Sequence, residues 1–138
     1  MACWIPQIRE GSQWMRHAKT NITSPYEGLP PLVEAPADDE QSDYTILFEN
    51  YQRAGDQASS VDTLKRNAGG ETLNAYMCAV ADTSNPVGLL GATYIPEGTG
   101  QRIIAHLMPG LHTCDDVPHN ALRFLHYRAE NDIAHLER

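Results

Sequence analysis

Asp132 and His135 stand three residues apart in the closing run RFLHYRAENDIAHLER, so on a helix they share one face. A carboxylate and an imidazole together suit iron, manganese or zinc. Glu130 and His126 stand just upstream. The plainer alternative is an exposed polar pair, but Ile133 and Leu136 flank it, which favours a half-buried face. Glu97 is a second carboxylate of chemical interest. It lies between Pro96 and Gly98 inside an otherwise apolar run. A carboxylate there is partly desolvated and needs a cation or a hydrogen-bond donor. The partner is a metal or substrate or, more simply, Arg102 or a helix N-terminus. Glu10, beside Gly11 and near Trp14, reads on its own as a surface residue.

Other titratable residues carry less. His17, His106, His112 and His119 show no ligand spacing and read as surface or loop residues. Cys3, Cys78 and Cys114 are far apart, odd in number and without a CxxC pair, which excludes zinc-finger and dithiol redox motifs. Reduced thiols in the cytoplasm are the simplest reading. Cys78, beside Met77, reads as a small core residue. No nucleophile elbow or dinucleotide fingerprint is present. GATYIPEGTG is rich in glycine, but no strand precedes it, so it is a poor phosphate loop.

Helices must position these residues, because no segment alternates with period two for long. The expected class is all-α, in a single domain over residues 1–138. Ile8, Trp14, Met15 and Ala18 predict a first helix within 5–22, with Pro6 in its first turn. The prolines at 25, 30, 31 and 36 predict a loop over 21–37. Asp38-Asp39-Glu40 reads as an acidic first turn opening a helix to about Arg53, closed by Gly55. Ser59 or Ser60 caps a short helix ending near Gly69-Gly70, and a further helix covers 71–81. A turn over 82–86 places Pro86 at the start of the next helix. In VGLLGATYIPEGTGQRIIAHLMPGL, Pro96 and four glycines predict a broken helix over 88–107, packed centrally. A polar loop follows Pro109-Gly110, and Pro118 opens the last helix.

With 18 acidic against 10 basic residues the net charge is −8, which disfavours nucleic acid and anionic membrane surfaces. No apolar stretch reaches the length of a bilayer span, and the first residues lack the basic and apolar regions of a signal peptide. Asn21-Ile22-Thr23 fits a glycosylation sequon, which carries little without a secretion signal.

Four ordered segments carry a resemblance: IREGSQWMRHAKTNI, DYTILFENYQRAG, NPVGLLGATYIPEGTGQRII and YRAENDIAHL. Together they resemble the haem-oxygenase-like superfamily, in its branch of iron-containing redox enzymes related to thiaminase II and the PQQ-synthesis C proteins. The resemblance spans most of the chain from Gln7 to Leu136. It implies a helical bundle, here shortened, with a site between central helices. It further implies iron bound by carboxylates and histidines, and dioxygen activated on a small organic substrate. Carried over by position, the ligands are Glu10, Glu97, Asp132, His135 and Glu40, with Arg128, Gln41 and Tyr94 toward the substrate. Two histidines of the pattern are replaced, one by Arg128 and one by Gln41. His126 is a poor substitute, at about 200° around the helix from position 128. The second reading is a degenerate binding module of the same fold that holds a small hydrophobic ligand or a partner in the old pocket, with Arg128 neutralising Asp132, Glu97 or a ligand carboxylate. Some relatives occur fused to or beside 3-oxoacyl-ACP synthases, which implies an acyl-carrier or synthase partner. A shortened bundle also leaves apolar helix faces uncovered, and a homodimer is expected.

Overall fold

The computed structural model describes the backbone of residues 1–136, and their side chains except those at 39, 92–97, 99, 101 and 131–136. The chain forms α1 (Ile5–Thr20), α2 (Pro30–Glu40), α3 (Asp43–Arg53), α4 (Ala68–Ala81), α5 (Gly88–His112) and α6 (Arg123–Leu136). Short 3-10 turns at Val61–Thr63 and His119–Ala121 join α3 to α4 and α5 to α6. Among the described residues there is no strand, so the class is all-α. No helix among them is long and apolar enough to cross a membrane.

Helix α1 is the hub, packing against α2, α3 and α4, while α6 packs against α3 and α5. Two apolar clusters result. In one, Trp14, Met15, Ala18 and Ile22 meet Val33 and Ala37 of α2, Met77 and Ala81 of α4, and Leu89 of α5. In the other, Ile5 of α1, Leu47 of α3 and Phe124 of α6 meet, with Ile8, Tyr44, Phe48 and Leu64 packed around them. Full burial of a side chain such as Ile5 or Leu47 contributes about 1.5–3 kcal/mol. That makes the second cluster the principal apolar tie between α1, α3 and α6.

Several expectations from the sequence need correcting. Residues 30–40 form a helix, not a loop. Pro30 and Pro31 occupy its first turn, where no N–H is required. Pro36 lies inside it and removes one backbone bond, to the carbonyl of Leu32. Leu32 is on the exposed side of α2, where water can serve that carbonyl, while Val33 and Ala37 are buried against α1. Packing outweighs propensity here. Residues 38–40 are therefore the last turn of α2, and a new helix begins at Asp43. Carboxylates at a helix C-terminus oppose its dipole. Cations from other helices offset this: Arg16 binds Asp38 at 2.8 Å, and Arg128 binds Glu40 at 3.1 Å.

Gly55 does close α3, at φ +100°. Ser60 caps only the 3-10 turn, through a bond from the Asp62 amide. Gly69-Gly70 lies in the first turn of α4, capped by Asn67, instead of ending a helix. Cys78 is exposed on α4, not a core residue. Helix α5 continues through Pro96 and Pro109 to His112, past the expected break and loop, although each proline removes one backbone hydrogen bond. Nor is it central. It rests mainly on α6, with a small contact to α4. Pro118 precedes a 3-10 turn, and α6 opens five residues later, at Arg123.

Among the described residues, pairs of large apolar side chains stay uncovered on α4, at Leu73 and Tyr76, and on α5, at Ile103 and Leu107. Each pair is three or four apart and so lies on one face. The protein is expected to run as a dimer in light scattering. Ile103→Glu with Leu107→Glu should shift it to monomer, and a monodisperse wild-type monomer would count against the prediction.

Candidate functional site

The junction of α2, α3 and α6 holds a compact charged cluster. Helix α2 ends at Glu40 and α3 starts at Asp43, so the short break turns both carboxylates toward α6. Arg128 Nη1 donates to Glu40 Oε1 at 3.1 Å and to Asp43 Oδ2 at 3.3 Å. The side chains are largely withdrawn from solvent, at 16% exposure for Arg128, 14% for Glu40 and 5% for Asp43. Burial pushes the Asp43 carboxyl above its usual range. The Arg128 charge pulls it down, the Glu40 charge adds to the rise, and hydrogen bonds from Tyr127 and Arg128 work downward. Desolvation wins, because one cation is shared between two carboxylates.

That shift sets a pH dependence. Between the ordinary carboxyl range and the raised value, the folded chain binds more protons at Asp43 than the unfolded chain does. Stability from this group is therefore full below the unfolded value and is lost as pH rises through the folded one. Asp43→Asn is expected to flatten that stretch of the stability curve, read from urea midpoints across acidic pH. An unchanged slope would mean that Asp43 is not the group responsible.

A second cluster lies along α1 and α4. Glu10 is paired with Arg66 and lies 3.6 Å from Arg9. Arg9 in turn binds Asp62 at 2.6 Å, and Arg66 also reaches Glu71 at 3.5 Å. Among the described residues, four buried side-chain atoms have no protein hydrogen-bond partner: Gln7 Oε1, Trp14 Nε1, Arg66 Nε and Asn74 Oδ1. Gln7, Glu10 and Trp14 recur at helical spacing on α1, and Asn74 belongs to α4, which packs on it. Buried polar atoms without a protein partner are rare and costly, and ordered water is what ordinarily satisfies them.

The expected ligand positions are thus only partly in view. Glu10 and Glu40 are described, and each is bound by an arginine from another element. Gln41 accepts from Arg16 Nη2 at 3.1 Å, at the α1–α2 contact. Arg128 contacts Glu40 and Asp43, while its expected partners Asp132 and Glu97 lie outside the described side chains. The side chains of Tyr94, Glu97, Asp132 and His135 lie outside the described residues. Among the described residues, no three potential ligands surround a common point as a bound metal requires.

Two groupings escape sequence reasoning, one around Asp43 and one of three histidines. Asp43 falls inside the helix expected from residue 38 to about Arg53, whereas the structure starts α3 there and a cation from α6 docks on it. The three histidines 112, 119 and 126 also gather in space. The His112 and His119 rings lie 5.4 Å apart, and the His112 and His126 rings 5.1 Å apart. Their one signal in the sequence is the repeated interval of seven residues, which Pro118 masks because no helix runs through it. Compared with models of protein families, with curated proteins and with solved structures, the chain has no significant match.

Proposed function

We propose that this chain is a non-catalytic binding module on a haem-oxygenase-like helical bundle, in which arginines partner the carboxylates that hold metal in iron-dependent relatives. One observation carries the reading: both described ligand candidates are paired with guanidinium groups, Glu40 with Arg128 and Glu10 with Arg66. A guanidinium neutralises the charge that a metal would neutralise, yet it offers no open coordination position. Iron bound through Glu10 or Glu40 would first have to displace Arg66 or Arg128 and strand a largely buried cation. The described residues therefore do not fit the iron that the resemblance implies. The side-chain atoms Gln7 Oε1, Trp14 Nε1, Arg66 Nε and Asn74 Oδ1 offer donors and acceptors that water or a small polar guest would satisfy.

Elemental analysis of untagged protein from iron-supplemented cells tests this. Iron is expected to be well below one equivalent per chain. Stoichiometric iron that falls when His135 is replaced by alanine would establish the oxygenase reading instead. Arg128→His combined with Gln41→His restores the two replaced histidines. Iron uptake by that double variant alone would support the loss of an ancestral metal site, and background uptake would speak against one.

A further inference from the structure

We propose that His112, His119 and His126 form a zinc(II) site that ties the end of α5 to the start of α6. It is separate from the carboxylate clusters and rests on different residues. His112 Nδ1 and His119 Nδ1 are 3.4 Å apart. Two nitrogens on one tetrahedral zinc, each bonded at about 2.0–2.1 Å, are separated by about 3.3–3.4 Å. The separation is within hydrogen-bond reach when one ring donates to the other, and it equally matches the bite of one shared ion. His126 stacks obliquely on His112, with ring centroids 5.1 Å apart and planes 40° apart.

The three rings are exposed, so zinc reaches them from solvent and the rings can turn about their side-chain bonds. The described histidines do not yet converge on one point. His126 completes the site by turning its ring toward the other two, and water takes the fourth position. The surroundings favour a cation. His112 sits in the last turn of α5, where the helix dipole is negative. The loop between α5 and the 3-10 turn carries Asp115 and Asp116, and the chain bears a net charge of −8. The ligands come from three elements, the last turn of α5, the 3-10 turn at His119 and α6, so binding closes the loop between them.

The test uses metal-stripped, untagged full chain titrated with zinc chloride in a calorimeter. One zinc per chain is expected. His112→Ala, His119→Ala and His126→Ala should each weaken binding at least about tenfold, while His106→Ala, on the same helix but outside the cluster, should leave it unchanged. Zinc should raise the melting temperature of the wild type and not of His112→Ala. Nitrogen-15 spectra should show zinc-dependent shifts at the three histidines and not at His106. Circular dichroism of each variant verifies that it is folded. Absence of zinc binding, or unchanged affinity in any one of the three alanine variants, overturns the site as drawn. Zinc lost on His135→Ala but retained in His112→Ala would place the ion among the resemblance-derived ligands, overturning this proposal and reopening the metal reading of that other site.

Discussion

Arg128→Ala is expected to lower the unfolding free energy by about 3 kcal/mol, at the lower end of what breaking a buried ion pair costs. The lower end applies because the three side chains keep a little exposure, between 5% and 16%. The loss comes less from the attraction removed than from what stays behind: Glu40 and Asp43, both withdrawn from water, without the cation they share. Two comparisons separate these contributions. Arg128→Met keeps most of the side-chain volume and should lose nearly as much as alanine. Combining it with Glu40→Gln and Asp43→Asn removes all three charges and should recover most of the stability, since apolar or neutral replacement of a whole buried cluster is often close to neutral. Urea denaturation of the single and triple variants gives the free energies. A loss under about 1 kcal/mol for Arg128→Ala would class the cluster with exposed ion pairs, and the reading of Arg128 as a resident cation would fail with it.

Asn50→Ala is expected to cost about 2 kcal/mol, from a lost helix cap and unsatisfied buried groups together. Asn50 lies on α3 and is 1% exposed. One orientation of its amide satisfies both ends of the group. In it, the side-chain oxygen accepts from the Arg123 amide at 3.2 Å and from the Phe124 amide at 2.6 Å. Those are the first N–H groups of α6, which have no partner within their own helix. A residue of α3 therefore caps α6 from outside. Phe124, whose amide it holds, fills the cluster with Ile5 and Leu47. The cap thus fixes the start of the helix that delivers both Arg128 and His126. Asn50→Asp keeps the accepting oxygens and should lose less than alanine does. Equal losses would show that packing, not the cap, makes Asn50 matter. Amide exchange at Arg123 and Phe124 provides an independent reading, since both should exchange faster in the alanine variant.

Much of the helical plan is readable from residue order alone. Ile5 to Ala18 carries its apolar positions at helical spacing, with Pro6 where a first turn accepts it, and α1 forms there. Gly55 marks the end of α3 because a backbone at φ +100° suits glycine. What residue order could not decide was continuity through proline. Pro36 and Pro96 each argue locally for a break, yet α2 and α5 pass through them. In α2 the lost backbone bond is a local cost, whereas the burial of Val33 and Ala37 against α1 is a long-range gain that no window of sequence contains.

The same limit governs the candidate sites. Arg128 could be recognised as a cation standing where the resemblance expects a ligand, but its partners could not be named. Glu40 and Asp43 are 88 and 85 residues away in sequence. They became its partners because only two residues separate the end of α2 from the start of α3, which brings both carboxylates against α6. Glu10 looked like a surface residue until Arg66, 56 residues away, was brought against it by the packing of α1 and α4. The three histidines show the converse. Their regular spacing is visible in the chain, but a loop and a short 3-10 turn intervene, and only the return of the chain from α5 to α6 stacks the rings. Side-chain type and local helix preference are properties of neighbouring residues and are written in the sequence. Which charge meets which, and which helix stays exposed, depends on burial traded between distant segments, and the tertiary structure alone decides it.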